Sequence, residues 1–208
     1  LADWYTNELN RLGVHVHLNT ELNEEEIKAM DYDTVILATG SKPKVFSLRD
    51  DSHIYTAEQV LLKQKDAGKK TVIVGGGLVG CETALWFAQN GIHVTIVESL
   101  DKVMAVNGPL CAANKEMLEA LLPFNGVEII TGAKVTEFEN GEVKVDTKEG
   151  SKTIMSDSVI LSVGYKEENT LYNNLQFDIP DLYLLKDAKK VSKIMYAIWD
   201  AFEVANHI

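Results

Sequence analysis

The sequence predicts an α/β protein, and three observations carry that expectation. Apolar, β-branched runs alternate with segments of helical spacing, the pattern of a parallel sheet covered by helices. One run, Thr71-Val-Ile-Val74, passes directly into Gly75-Gly-Gly-Leu-Val-Gly80, then a helical stretch, then a second strand ending in Glu98. Residues 133–156 change character and break into three short alternating runs separated by Asn140-Gly141 and Glu149-Gly150, the signature of an antiparallel meander.

The N-terminal segment places Leu1, Tyr5, Leu9 and Leu12 at helical spacing, with Gly13 ending the pattern. Val14-His-Val-His-Leu18 alternates strictly and predicts a strand with one polar face. His15 and His17 share that face without Cys or carboxylate partners, so solvent exposure is expected rather than metal ligation. Asn23 followed by Glu24, Glu25 and Glu26 predicts a helix cap with acids in the first turn. Residues 34–40 form a buried strand ending in small residues, and residues 40–43 break the chain at a domain boundary. Residues 56–64 read as a helix, with Lys69 and Lys70 leading into the glycine-rich unit.

Each part of that unit has a physical role. Gly75 allows a sharp turn, Gly77 lets a pyrophosphate approach the backbone, and Gly80 lets helix pack closely on strand. The helix N-terminus, with Gly76, Leu78 and Val79 around it, offers unpaired N–H groups and a partial positive charge to phosphates. The helix carries an apolar stripe of Leu78, Val79, Thr83, Leu85, Phe87 and Ala88, and Gly91 marks its C-terminal cap. His93-Val-Thr-Ile-Val97 is the next strand, and the Glu98 carboxylate at its end suits the ribose hydroxyls of an adenosine while repelling a 2′-phosphate. The combination implies binding of a dinucleotide, NADH ahead of NADPH. Further along, residues 110–122 predict a helix stopped by Pro123, and residues 126–130 a third strand. Residues 158–164 and 182–185 return to strands, and residues 192–208 to a closing helix with Ile194, Ala197, Ile198, Phe202 and Ala205 on one side.

Composition bounds the function. The chain has 208 residues, 46% hydrophobic and 25% charged, with a formal net charge of −11. That balance suits a soluble globular protein and argues against nucleic acid and anionic membrane surfaces as partners. No apolar run is long enough to span a bilayer, and no secretory leader is expected. Cys81 and Cys111 form no CxxC pattern, which argues against a disulfide reductase and for a reducing, cytoplasmic setting. Cys81 sits at a helix start, where a lowered pKa is possible in principle, but a packed small residue is the expected role. His53 and His207 have no partner in sequence. Because the chain begins with Leu1 inside a helical pattern, it is expected to be a piece of a longer polypeptide.

At this point the residues resemble the two-dinucleotide flavoprotein reductases. Asp33-Thr-Val-Ile-Leu-Ala-Thr-Gly-Ser-Lys-Pro43 resembles the segment by which that superfamily leaves its FAD domain for an inserted NAD(P)H domain. Residues 158–165 resemble the crossover back, and residues 182–187 with the final helix resemble the C-terminal flavin-binding segment. Gly75-Gly-Gly-Leu-Val-Gly-Cys-Glu-Thr-Ala84 and Lys193-Ile-Met-Tyr-Ala-Ile-Trp-Asp-Ala-Phe202 are most similar to the C-terminal half of the 2,4-dienoyl-CoA reductase, 2-enoate reductase and trimethylamine dehydrogenase group.

The resemblance implies a Rossmann-like NAD-binding domain with an antiparallel meander, residues 44–165, inserted into a partial FAD-type α/β domain of residues 1–43 and 166–208. It implies flavin contacts at Ala38, Thr39, Gly40 and Asp187, a nicotinamide-side contact at Glu82, and a contact with the NAD pyrophosphate or the nicotinamide side at Gly164. FMN and an iron–sulfur cluster are implied outside this chain, among the remaining domains of a full-length enzyme in which hydride passes from NADH to FAD. Only one glycine fingerprint is present, and Lys186 stands where the family's segment has Gly before Asp, so the isolated chain is expected to be inactive. A non-catalytic, ADP-binding structural module is the alternative. No acid/base residue is assigned, because hydride transfer between nicotinamide and flavin needs positioning more than proton transfer. Open strand edges in the partial domain lead us to expect self-association, a homo-oligomer.

Overall fold

A computed structural model describes residues 1–50, 52–105 and 110–208. The chain runs α1 (Ala2–Arg11), α2 (Glu24–Lys28), β1 (Val35–Leu37), β2 (Ser41–Pro43), β3 (Ile54–Thr56), α3 (Ala57–Leu61) and β4 (Lys70–Val74). It continues through α4 (Leu78–Gln89), β5 (His93–Val97), α5 (Ala112–Phe124), β6 (Glu128–Ile130), β7 (Lys134–Glu139), β8 (Glu142–Thr147) and β9 (Gly150–Met155). It ends with β10 (Ser158–Leu161), β11 (Tyr165–Glu167), α6 (Thr170–Leu175), β12 (Leu182–Leu184), α7 (Lys186–Lys189) and α8 (Ile194–Ala205). The fold is α/β, with two compact units: Ser41–Glu167, and Leu1–Gly40 together with Glu168–Ile208.

The Ser41–Glu167 unit is built on a five-stranded parallel sheet of order β3-β10-β4-β5-β6. Its central strands β10, β4 and β5 are buried on both faces, and alternation divides their side chains between two cores. Ile73, Ile96 and Ile160 point to one core, with Cys81, Ala84 and Phe87 of α4 and Leu118 and Leu122 of α5. Val72, Val74, Val97, Val159 and Leu161 point to the other, covered by Val135, Phe138, Val143 and Val145 of the meander β7-β8-β9. Asn140 (φ 53°) and Gly141 (φ 77°) both adopt positive φ, the two-residue turn that matches strand twist in a hairpin.

Some elements depart from the sequence expectation. Residues 14–18 form no strand: Val14, Val16 and Leu18 are all exposed, and no strand among the described residues pairs with them. Strict alternation needs a neighbouring ladder to become a strand, and none is supplied here. The helix α5 runs through Pro123 to Phe124. A missing N–H removes only one bond in the last turn, and Asn125 closes that turn with its N–H and its side-chain amide on the Leu121 carbonyl, at 3.0 and 2.7 Å. The α4 stripe also shifts: Gly80, Cys81, Thr83, Ala84, Leu85 and Phe87 are buried, while Val79 is exposed. Residues 41–43, expected only as a break, pair antiparallel as β2 with β11, Pro43 opposite Tyr165. The division between units therefore falls after Gly40 and after Glu167, where the sequence suggested 43 and 165.

In the other unit, β1 and β12 pair in parallel, Val35 opposite Leu182. Asn23 caps α2 through a reciprocal box: its side chain accepts from the Glu26 N–H at 3.0 Å, and the Glu26 carboxylate accepts from the Asn23 N–H at 2.9 Å. Ile194, Ile198, Trp199 and Phe202 of α8 are exposed.

Candidate functional site

The glycine turn between β4 and α4 is fixed by steric necessity. Gly75 has φ +104°, and its N–H donates to the Val97 carbonyl at 2.9 Å. A Cβ at Gly75 would lie 2.4 Å from the Ser162 carbonyl oxygen, and one at Gly80 would lie 2.0 Å from the Gly75 carbonyl oxygen. Neither distance is attainable, so both positions exclude side chains. Gly77 is the N-cap of α4, without a side chain to satisfy the first-turn N–H groups. Those donors remain available to an anion, with the helix dipole behind them.

Glu98 closes the turn from the side of β5. Glu98 is 8% exposed, and both of its carboxylate oxygens accept hydrogen bonds. Oε2 accepts from the Gly76 N–H at 2.6 Å, and Oε1 accepts from the Leu100 N–H at 2.8 Å and the Ser99 hydroxyl at 3.1 Å. The acid expected to receive ribose thus also organises the glycine turn.

Above the carboxyl ends of β4, β5 and β10 lies a cavity of about 590 Å³. It is lined by Gly75, Gly77, Leu78 and Val79 of the turn and helix start, and by Val97, Glu98, Ser99 and Leu100 beyond β5. Ser162, Val163, Gly164 and Tyr165 line it beyond β10, with Ala133, Lys134 and Val135 at the meander, and Val74 and Phe46 complete the wall. This is the crevice position at which open α/β sheets bind ligands. The walls are mainly apolar, with backbone donors and one carboxylate converging on them, as expected of a cofactor site.

Of the residues singled out from sequence, Gly75, Gly77, Leu78, Val79, Glu98 and Gly164 line this cavity. Gly76 and Gly80 shape it from behind, the first through Glu98 and the second through close packing on Gly75. Glu82 lies on α4 outside the lining; its side chain is exposed, yet partial desolvation raises its carboxyl pKa. Cys81 is fully buried, with its thiol 3.5 Å from the Gly76 carbonyl. Burial first, then the Glu98, Glu82 and Glu119 carboxylates, push the thiol up to about 12, so it is a packing residue and not a nucleophile.

Ala38, Thr39 and Gly40 belong to the other unit, at the end of β1. Gly40 has φ +70°, its carbonyl accepts from the Glu168 N–H at 3.0 Å, and the Thr39 hydroxyl donates to the Glu168 carbonyl. Asp187 opens α7, and its Oδ1 accepts from the Ser192 N–H at 3.0 Å and the Ser192 hydroxyl at 3.3 Å. Its neighbour Lys186 places Nζ 5.9 Å from the centre of the Tyr196 ring.

Phe46, Lys134, Val135, Ser162 and Tyr165 line the cavity without having been marked in sequence. Ser162 lies two residues before Gly164 and Tyr165 directly after it, so both belong to the segment that the sequence already singled out. Phe46 and Lys134 carry no local signal, because only the packing of the meander and of the segment after β2 brings them to the cavity. Among the described residues no group of three or more His, Cys, Asp or Glu is arranged to hold a metal ion, and no helix is long and apolar enough to cross a membrane.

Known proteins resemble this chain in sequence and fold. The chain is 43% identical over its whole length to cinnamate reductase of Clostridium sporogenes, of which it spans 31%. It is 34% identical over 98% of its length to NADH oxidase of Thermoanaerobacter brockii, of which it spans 32%. Among solved structures, a 2-naphthoyl-CoA reductase complex superposes over 99% of the chain with TM-score 0.89 and 25% identity, the match covering 31% of that protein. The chain thus spans about a third of the length of these relatives. The family model described as pyridine nucleotide-disulphide oxidoreductase matches residues 21–199. The chain belongs to the pyridine nucleotide-disulphide oxidoreductase family.

Proposed function

We propose that the Ser41–Glu167 unit binds NADH in the cavity above β4, β5 and β10, as the nucleotide-binding portion of a flavin-dependent oxidoreductase of the enoate-reductase type. The observation that carries this reading is the joining of three features in one cavity: the side-chain-free turn at Gly75 and Gly80, the α4 N-terminus, and Glu98. The turn itself requires glycine, since added Cβ atoms at Gly75 and Gly80 would collide with backbone. Glu98 lies where the adenosine ribose of a nucleotide on the turn would sit, and its negative charge disfavours a 2′-phosphate. At the other end, beyond β10, Gly164 would lie on the nicotinamide side. Bound NADH supplies a hydride; the chain's own residues orient it and hold water away with the apolar lining of Val74, Val97, Val135 and Val163.

Family membership brings FAD together with the pyridine nucleotide. The described residues of the other unit do not by themselves make a flavin cradle: β1 pairs with β12 alone, and the Asp187 carboxylate is engaged by Ser192. In a full-length enzyme the FAD site, FMN and an iron–sulfur cluster would be completed by the remaining domains. The engagement of Asp187 favours one second reading, an ADP-binding structural module without redox turnover.

Calorimetric titration with NADH, NADPH, ADP and FAD tests both. Binding of NADH and ADP with weaker NADPH is expected, and FAD should bind poorly. No binding of any adenine nucleotide would overturn the proposal. NADH oxidation on adding FAD or a soluble flavin would exclude the structural-module reading.

A further inference from the structure

The segment from Lys44 to Asp50 is not part of any helix or strand, yet it is fastened at three points. The Lys44 N–H donates to the Gly164 carbonyl at 2.9 Å, tying its start to the cavity wall beyond β10. Leu48 is 4% exposed in the core between sheet and meander. The Asp50 N–H donates to the Phe138 carbonyl at 3.1 Å, and the Arg49 guanidinium pairs with Glu137, which also receives the Lys144 ammonium. A fastened loop holds the side chain between its anchors in place. That side chain is Phe46, which lines the cavity and leaves 39% of its surface exposed.

Phe46 lies two residues from Lys44, within about 7 Å along the chain, which sets it near the Gly164 end of the cavity. Tyr165 follows Gly164, sits opposite Pro43 in the β2–β11 ladder, and lines the same end half-buried. The sheet order sets β10 and β5 on opposite sides of β4, which separates Tyr165, just beyond β10, from the acid at the end of β5. A dinucleotide with its pyrophosphate on the Gly75–Gly80 turn and its adenosine at Glu98 directs its other half towards Gly164.

Resting on the reading above, we infer that Phe46 and Tyr165 form an aromatic grip for the nicotinamide ribonucleotide half of bound NADH, and so set how tightly that half is held. Planar rings are suited to such a grip, since each offers a broad apolar face to a flat heterocycle and its ribose. The ion pairs of Arg49 and Lys144 on Glu137 act as positioning contacts for the segment that carries Phe46.

The test compares NADH with ADP, which lacks the nicotinamide half, by calorimetry on the 208-residue chain and its Phe46→Leu and Tyr165→Leu variants. The wild-type chain should bind NADH more tightly than ADP. Each variant should weaken NADH by about fivefold while ADP stays within about twofold. The enhancement of NADH fluorescence on binding should fall in parallel. Retained ADP binding certifies that the variants are folded. Equal losses for both ligands, or no loss for either, overturn the inference, as does a wild-type chain that holds NADH no better than ADP. A wild-type chain that binds neither ligand overturns the nucleotide reading itself, and the grip with it.

Discussion

The Glu98 Oε2 atom accepts a hydrogen bond from the Gly76 N–H at 2.6 Å, so the acid that ends β5 holds the turn that follows β4. Its other oxygen accepts from the Leu100 N–H at 2.8 Å. Glu98→Gln keeps the shape but leaves only one acceptor oxygen for two backbone donors. One N–H then loses its partner, which should cost about 1–3 kcal/mol in urea denaturation. On the proposed reading, the same change removes the charge that repels a 2′-phosphate, so a preference for NADH over NADPH should narrow in competition titrations. Unchanged stability together with an unchanged preference would refute both roles.

Glycine positions should separate by cause. Gly75→Ala brings a Cβ to 2.4 Å from the Ser162 carbonyl oxygen at φ +104°, and Gly80→Ala one to 2.0 Å from the Gly75 carbonyl oxygen. Each should lose about 3 kcal/mol or more, together with ADP binding. Gly164 has φ +90° but open space around a Cβ, so Gly164→Ala should lose only about 1 kcal/mol. Thermal melts of the three variants would show whether the ordering holds.

The two thiols should react very differently. Cys111 is exposed, whereas burial holds Cys81 at about 12. A thiol reagent at pH 8 should label one site in the native chain, and Cys111→Ser should abolish that reaction. Cys81 should become reactive only in denaturant. Rapid native labelling of Cys111→Ser would show that the α4 N-terminus is not packed as described.

Asp157 gives a pH dependence of definite sign. Its Oδ2 accepts from the Lys69 and Lys70 N–H groups at 2.7 and 2.9 Å, and these bonds hold its carboxyl below the ordinary value. The folded-state pKa is depressed, so the contribution is present above the unfolded pKa of about 4 and is lost as pH falls through the folded value. The site is exposed and screened, so Asp157→Asn should cost only about 0.5–1 kcal/mol at pH 7. The difference from wild type should shrink in acid; a difference independent of pH would contradict the assignment.

Much of the Ser41–Glu167 unit was legible because its signals are local. A β-branched run, glycines required by backbone geometry and an acid at a strand end each act over a few residues. The Asn140-Gly141 turn is likewise decided by its own two φ angles. Where local pattern and environment part, the sequence misleads. Alternation at residues 14–18 met no neighbouring strand, and Pro123 fell in a last turn that needed little from its missing N–H.

The sequence by itself determined the α/β class, the strand–turn–helix–strand unit and the acid at its end, since these follow from side-chain period and from the steric needs of glycine. Only the tertiary structure decided that Glu98 would bind the Gly76 N–H and that Cys81 would be sealed from solvent. It alone brought Phe46, Lys134 and Tyr165 to one cavity. Those outcomes depend on contacts between residues far apart in the chain, and such contacts leave no periodicity to read.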